Sequence, residues 1–159
     1  MNEDERDRQF LREAVRLARD SVLSGGGPFG AVVVRHGRVV ATGMNRVAVD
    51  SDPTAHAEVL AIRAACEALG SFQLNDCVVY SSTEPCPMCM GALYWARPER
   101  ILYASGREAA AAAGFDDQFI YDELARSVDA RDLATRHVDV AEAGSEFEAW
   151  RALEDRTEY

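Results

Sequence analysis

A chain of 159 residues, 48% of them hydrophobic, has room for a buried core in one domain and is too apolar to be disordered. Its net charge is −10, its sequence pI about 4.7, and it has no lysine, all seventeen basic residues being arginine. That balance weighs against nucleic acid as a partner, since phosphate contacts require clustered basic side chains. No apolar run reaches bilayer length, which excludes a helical membrane anchor, and the opening Met1-Asn2-Glu3-Asp4-Glu5-Arg6-Asp7-Arg8 is charged rather than signal-like; the expected location is the cytoplasm.

Phe10, Leu11, Ala14, Val15, Leu17, Ala18 and Val22 recur at helical spacing, predicting an amphipathic helix from about Glu5 to Leu23. Arg12, Arg16 and Arg19 alternate with acids along it, which reads as a solvated face. Ser24-Gly25-Gly26-Gly27-Pro28 ends the helix; the Lys-Ser/Thr ending of a phosphate loop is missing. Ala31-Val32-Val33-Val34-Arg35, a turn at His36-Gly37 and Arg38 to Gly43 form a β-hairpin. Met44 to Asp52 reads as loop. A second helix begins near Asp52-Pro53 or Thr54, with Pro53 in its first turn, and stops at Gly70.

Cys77 to Ser82 is a third strand, Gly91 to Trp95 continues a third helix, and Arg100 to Ser105 is a fourth strand. Ala109 to Gly114 reads as a small flexible link. Phe119 to Leu124 is a short helix, Thr135 to Ala141 a fifth strand, and about Ser145 to Asp155 a last helix carrying Phe147, Trp150 and Leu153 on one side. The order α-β-β-α-β-α-β-α-β-α predicts a three-layer α/β/α fold with a five-stranded mixed sheet.

The chemistry gathers in two stretches. Thr83-Glu84-Pro85-Cys86-Pro87-Met88-Cys89-Met90 lies between a strand and a helix, so Cys86 and Cys89 start one helix and can face one ion. Taken alone, Pro-Cys-x-x-Cys also suits a redox dithiol. About thirty residues upstream, Thr54-Ala55-His56-Ala57-Glu58 decides for zinc, because a redox pair leaves His56 and Glu58 unexplained. His-x-Glu followed by Pro-Cys-x-x-Cys is the known zinc-deaminase signature. One imidazole and two thiolates leave the fourth tetrahedral position open to water, whose pKa zinc lowers from ~16 to ~7–9. Glu58, close to the metal but outside its ligand set, is placed to carry protons. Cys66 and Cys77 read as buried structural thiols. His36 and His137 read as a turn residue and a late-strand residue without a site.

With these motifs the chain resembles the cytidine deaminase superfamily and, within it, the purine branch of bacterial guanine deaminases. The likeness runs from about Phe10 onward, through Pro28-Phe29-Gly30-Ala31-Val32-Val33-Val34, Asn45, Asp52 to Glu58, Glu84 to Cys89, Gly91 to Arg97, Ala113-Gly114-Phe115-Asp116-Asp117 and Tyr159. The zinc motifs specify the superfamily; the last three pieces bear on substrate. The resemblance implies zinc-dependent hydrolysis of guanine to xanthine and ammonia, with one Zn2+ per subunit held by His56, Cys86 and Cys89. Glu58 then shuttles protons to the ring and the leaving amine, and Asp117 binds the amino edge and helps pass the proton, with Asp116 as fallback. Asn45 hydrogen-bonds the purine, Phe29 and His56 sandwich its ring, and the backbone N–H groups of Ala57 and Cys86 bind the reacting oxygen. The resemblance also implies a homodimer. In this family the segment from about 144 to 159 can cross to a partner subunit, where Trp95 and Tyr159 close the neighbour's pocket.

Plainer readings stand beside these. Asp116-Asp117 after glycine suits a helix cap, Trp95 at helical spacing suits a core, Asn45 suits a turn and Tyr159 a frayed end. Guanosine, or another aminopurine or triazine, is an alternative substrate, and a tRNA adenosine deaminase shares the zinc motifs and the Asn. The latter needs a basic surface for a flipped nucleotide, which this composition does not supply. A catalytically dead zinc module is opposed by Glu58, since a purely structural site closes with a fourth ligand.

Overall fold

The computed structural model describes residues 2–159 and divides into two compact units, the first ending at Asp117 and the second spanning Gln118–Tyr159. The first unit opens with α1 (Glu3–Leu23), which has a capping box. Asn2 Oδ1 accepts from the Glu5 N–H (2.8 Å), and Glu5 Oε2 accepts from the Asn2 N–H (3.3 Å). β1 (Gly30–Arg35) and β2 (Arg38–Met44) make the expected hairpin, turning through His36 (φ 49°) and Gly37 (φ 74°). Then follow a single turn, α2 (Val47–Asp50), α3 (Ala57–Leu69), β3 (Cys77–Thr83), α4 (Pro87–Ala96), β4 (Arg100–Ser105) and α5 (Arg107–Ala112).

The sheet order is β2-β1-β3-β4: β1 runs antiparallel to both β2 and β3, and β3 runs parallel to β4 across α4. Side chains on a strand alternate in direction, and β1 is buried on both faces. Ala31 and Val33 pack with Ala57, Ala61 and Ala65 of α3 and Leu93 and Ala96 of α4. Val32 and Val34 pack with Ala14 and Leu17 of α1. The three-layer α/β/α arrangement is thus built around one strand. Two glycines let helices approach the sheet closely. A Cβ on Gly30 would strike the α1 backbone at Ala14 and Ala18, and one on Gly43 would strike the Ala57 carbonyl at the start of α3. Across the α1 face, buried Asp7 accepts from the Tyr80 hydroxyl (2.5 Å) and from Arg100 (3.2 Å).

The second unit holds α6 (Gln118–Ala125), a 3-10 turn (Val128–Ala130) and α7 (Ser145–Ala152). Here the expected fifth strand fails: Thr135 to Ala141, His137 included, is exposed and pairs with nothing in a ladder, so the sheet has four strands. Alternating side chains describe a strand's faces, but a strand exists only where its backbone finds an edge to bond, and this unit contains no other strand. Conversely, the presumed flexible alanine link is α5. Alanine is the strongest helix former, and Gly114 at φ 93° supplies the stop. The expected loop after β2 contains α2. α3 starts later than expected, at Ala57, because the Asp52 side chain claims the Thr54 N–H (2.8 Å) and hydroxyl (2.7 Å) in a separate turn around Pro53.

Candidate active site

That Asp52 turn delivers His56. Ala55 N–H donates to the Asp52 carbonyl (3.1 Å), and the Ala55 carbonyl accepts from Arg46 N–H (2.9 Å), tying the turn to the end of β2. His56 follows as the extended N-cap of α3 (φ −75°, ψ 152°), with its carbonyl accepting the first helical bond from Leu60. Thirty residues on, Cys86 takes the same N-cap position on α4 (φ −66°, ψ 168°). Pro87 sits at the first helical residue, where its missing N–H costs nothing. His56 makes no side-chain cap bond to its own helix, Cys86 bonds back to Cys89 within α4, and the two side chains turn toward each other.

They do so together with Cys89, fully buried one turn into α4. His56 Nδ1 lies 3.5 Å from Cys86 Sγ and 3.4 Å from Cys89 Sγ, and the three ligand atoms fall within 4.8 Å of one another. Zinc bonds of about 2.0–2.3 Å make tetrahedral edges of about 3.3–3.8 Å, so the two His–Cys separations suit tetrahedral zinc. Three ligands from two converging helix starts leave one coordination position for water or substrate, the arrangement of a catalytic rather than a structural site.

Glu58, one residue into α3 beyond Ala57, points inward and is only 5% exposed. Its Oε1 accepts from the Ser81 hydroxyl (2.8 Å) and its Oε2 from the Cys89 thiol (3.4 Å). Burial pushes the Glu58 pKa above the ordinary carboxyl range, opposed by bonds from its own backbone N–H, Ser81 and Cys89. Within the cluster, the hydrogen bond from Cys89 pulls the Cys86 thiol down to about 4, helped by His56 and opposed by burial. The same bond, with burial and the nearby Glu58, pushes Cys89 up. The bond to Cys86 raises the pKa of His56. One thiolate is therefore already favoured in the donor set, and a thiolate is what a metal binds.

Asn45 is buried, and its Oδ1 accepts from the Gly27 N–H (3.1 Å) and the Val47 N–H (3.3 Å), which fixes the amide. Phe29 meets Phe115 edge to face, centroids 5.0 Å apart. Asp117 is half-buried and Asp116 exposed. Burial raises the Asp117 pKa, opposed by its own backbone N–H and by Arg107, while Cys86 adds to the rise. Ala57 opens α3, where its N–H has no intrahelical acceptor. Trp95 is 64% exposed on α4, outside the buried core of this unit. Tyr159 is exposed in the second unit. Cys77 is fully buried at the head of β3, and Cys66 is half-buried in α3.

Sequence reasoning missed Ser81. Its signal was present, a hydroxyl at the buried end of a strand just before the Cys motif, but only the β3–α3 packing shows that it reaches Glu58.

The fold and this cluster define a zinc deaminase. Residues 4–105 match the cytidine and deoxycytidylate deaminase zinc-binding region, and the chain belongs to that family. It is 52% identical over 151 residues to the guanine deaminase of Bacillus subtilis, covering 94% of this chain and 97% of that protein. The X-ray structure of the B. subtilis guanine deaminase superposes with a TM-score of 0.94 at 50% identity, over 100% of this chain and 99% of that one. A tRNA-specific adenosine deaminase of Aquifex aeolicus is 40% identical over 96 residues, 60% of this chain and 64% of that protein.

Proposed function

We propose that this chain is a zinc-dependent guanine deaminase, adding water to guanine and releasing xanthine and ammonia. The observation that carries the reading is the buried Glu58 carboxyl, held by Ser81 beside the His56–Cys86–Cys89 cluster yet outside it. The near full-length likeness to a protein of that name supports the choice of substrate. Zinc held by these three residues supplies the Lewis acidity that makes water nucleophilic at neutral pH.

The chain's own groups do the rest. Glu58, its pKa raised by burial, accepts the water proton and passes protons to the ring nitrogen and the leaving amine. Asn45 presents its fixed Nδ2 donor to an acceptor on the purine. Phe29 and His56 hold the ring between them. The Ala57 and Cys86 N–H groups serve the oxygen gained at the reacting carbon. Asp117, the more buried of the acid pair, accepts from the amino edge, since a carboxylate can take two N–H donors at once; Asp116 is the alternate. Residues 1–159 act as one deaminase domain.

The reading extends to a cytoplasmic homodimer in which the segment from about 144 to 159 crosses to the partner, so that Trp95 and Tyr159 close a shared pocket. Supporting this, Met88, Tyr94 and Trp95 on α4, Phe147 and Trp150 on α7 and Leu153 just past it all expose apolar surface. No described helix is long and apolar enough to cross a membrane.

The test is a panel of guanine, guanosine, adenine, cytosine and cytidine scored for released ammonia, on protein carrying about one zinc per chain. Guanine is turned over, and Glu58→Gln abolishes turnover with zinc retained. Activity on guanosine and none on guanine sinks the substrate assignment.

A further inference from the structure

The parallel ladder sets Thr83 of β3 opposite Ser105 of β4, and one residue on, the Glu84 N–H donates to the Ser105 carbonyl (2.8 Å). Two strand ends thus leave the sheet side by side, at the carboxyl edge where α/β sheets place their sites. From β3 the chain runs through Glu84-Pro85 into the ligand Cys86. From β4 it runs through Gly106 into Arg107, whose Nε lies 3.4 Å from Glu84 Oε1. The six-residue α5 is then closed by Gly114 at φ 93°, with the Phe115 N–H donating to the Ala110 carbonyl (2.9 Å). That reversal carries Phe115 onto Phe29. Asp117 follows, within electrostatic range of both Arg107 and Cys86.

An ion pair with side chains 37% and 28% exposed adds little to stability, so its value lies in placement. A carboxylate such as Asp117 keeps its charge more readily where a cation stands nearby. A guanidinium provides that charge without ever losing its proton.

We propose that Arg107 is a positioning residue for the deamination: clasped to Glu84 at the entry to the metal motif, it anchors α5 so that Phe115 and Asp117 are held against the substrate wall. This rests on the guanine deaminase reading above and deepens it. Arg107 touches no reacting atom and works through Asp117.

Arg107→Ala and Arg107→Lys are compared with the wild type as full-length, zinc-loaded protein. Arg107→Ala lowers kcat/KM on guanine by about tenfold to a hundredfold, Arg107→Lys restores most of it, and zinc content and Tm stay as in the wild type. In parallel, the Asp117 carboxyl carbon is titrated by NMR: its midpoint rises in Arg107→Ala, where the cation favouring the carboxylate is gone, and moves little in Arg107→Lys. A kcat/KM near that of the wild type, an unmoved Asp117 midpoint, or loss of zinc from Arg107→Ala each overturns the proposal. The titration needs no substrate. A wild type inactive on guanine therefore defeats the parent reading, while the Asp117 midpoint still judges Arg107.

Discussion

Glu58 stands two residues past one metal-site residue and accepts from the thiol of another, yet its second oxygen is committed to Ser81. On the proposed mechanism, the serine orients this carboxylate for proton transfer. Ser81→Ala therefore lowers kcat by about tenfold or more while KM changes little, because the lost contact orients a catalytic group rather than the substrate. The stability cost is about 1 kcal/mol, the worth of one buried hydrogen bond. Steady-state kinetics beside a urea titration separate the two effects, and an unchanged kcat removes Ser81 from the machinery. At this scale the metal trio was readable from sequence, because ligand type and spacing are local properties of a chain. Ser81 was not, because its partner sits 23 residues away on another layer.

At the scale of elements, α1 is fastened to the sheet by the buried contact of Asp7 with Tyr80 and Arg100. Burial, with the hydrogen bond to Asp7, raises the Tyr80 pKa above its usual value near 10. The folded state therefore holds this proton where the unfolded chain loses it. That stabilisation is complete below about pH 10 and declines as pH rises toward the raised folded value. Tyr80→Phe removes the effect: its stability from urea titration falls less steeply than the wild type's above pH 10 and is lower at neutral pH by about 1 kcal/mol for the one lost hydrogen bond, Asp7 keeping its contact with Arg100. Equal alkaline slopes in the two proteins would falsify the account. The hairpin, the main helices and the four strands were legible from periodicity. The fifth strand and α5 were misread for opposite reasons: Thr135 to Ala141 has a strand's alternation without a pairing edge, and the alanine run has helix propensity without any periodicity.

At the scale of the whole molecule, exposed aromatic side chains on α4 and α7 call for a cover, and the proposed exchange of the last segment between subunits provides one. Deleting Tyr159 then weakens turnover severely, by about tenfold or more, while leaving Tm near that of the wild type, and sedimentation reports a dimer. Unchanged kinetics in the truncated chain refute the lid; a monomer at working concentration refutes the exchange.

The sequence by itself determined the candidate metal trio, the acid beside it and the order of the main elements, since each is written in residue type and short-range spacing. Tertiary structure alone decided that His56 and the two cysteines meet within a few ångströms, that Ser81 grips Glu58, and that Asp117 rather than Asp116 is the more buried acid. Those outcomes depend on which faces of β1 and β3 the helices cover, and packing between distant segments leaves little trace in the local pattern of either one.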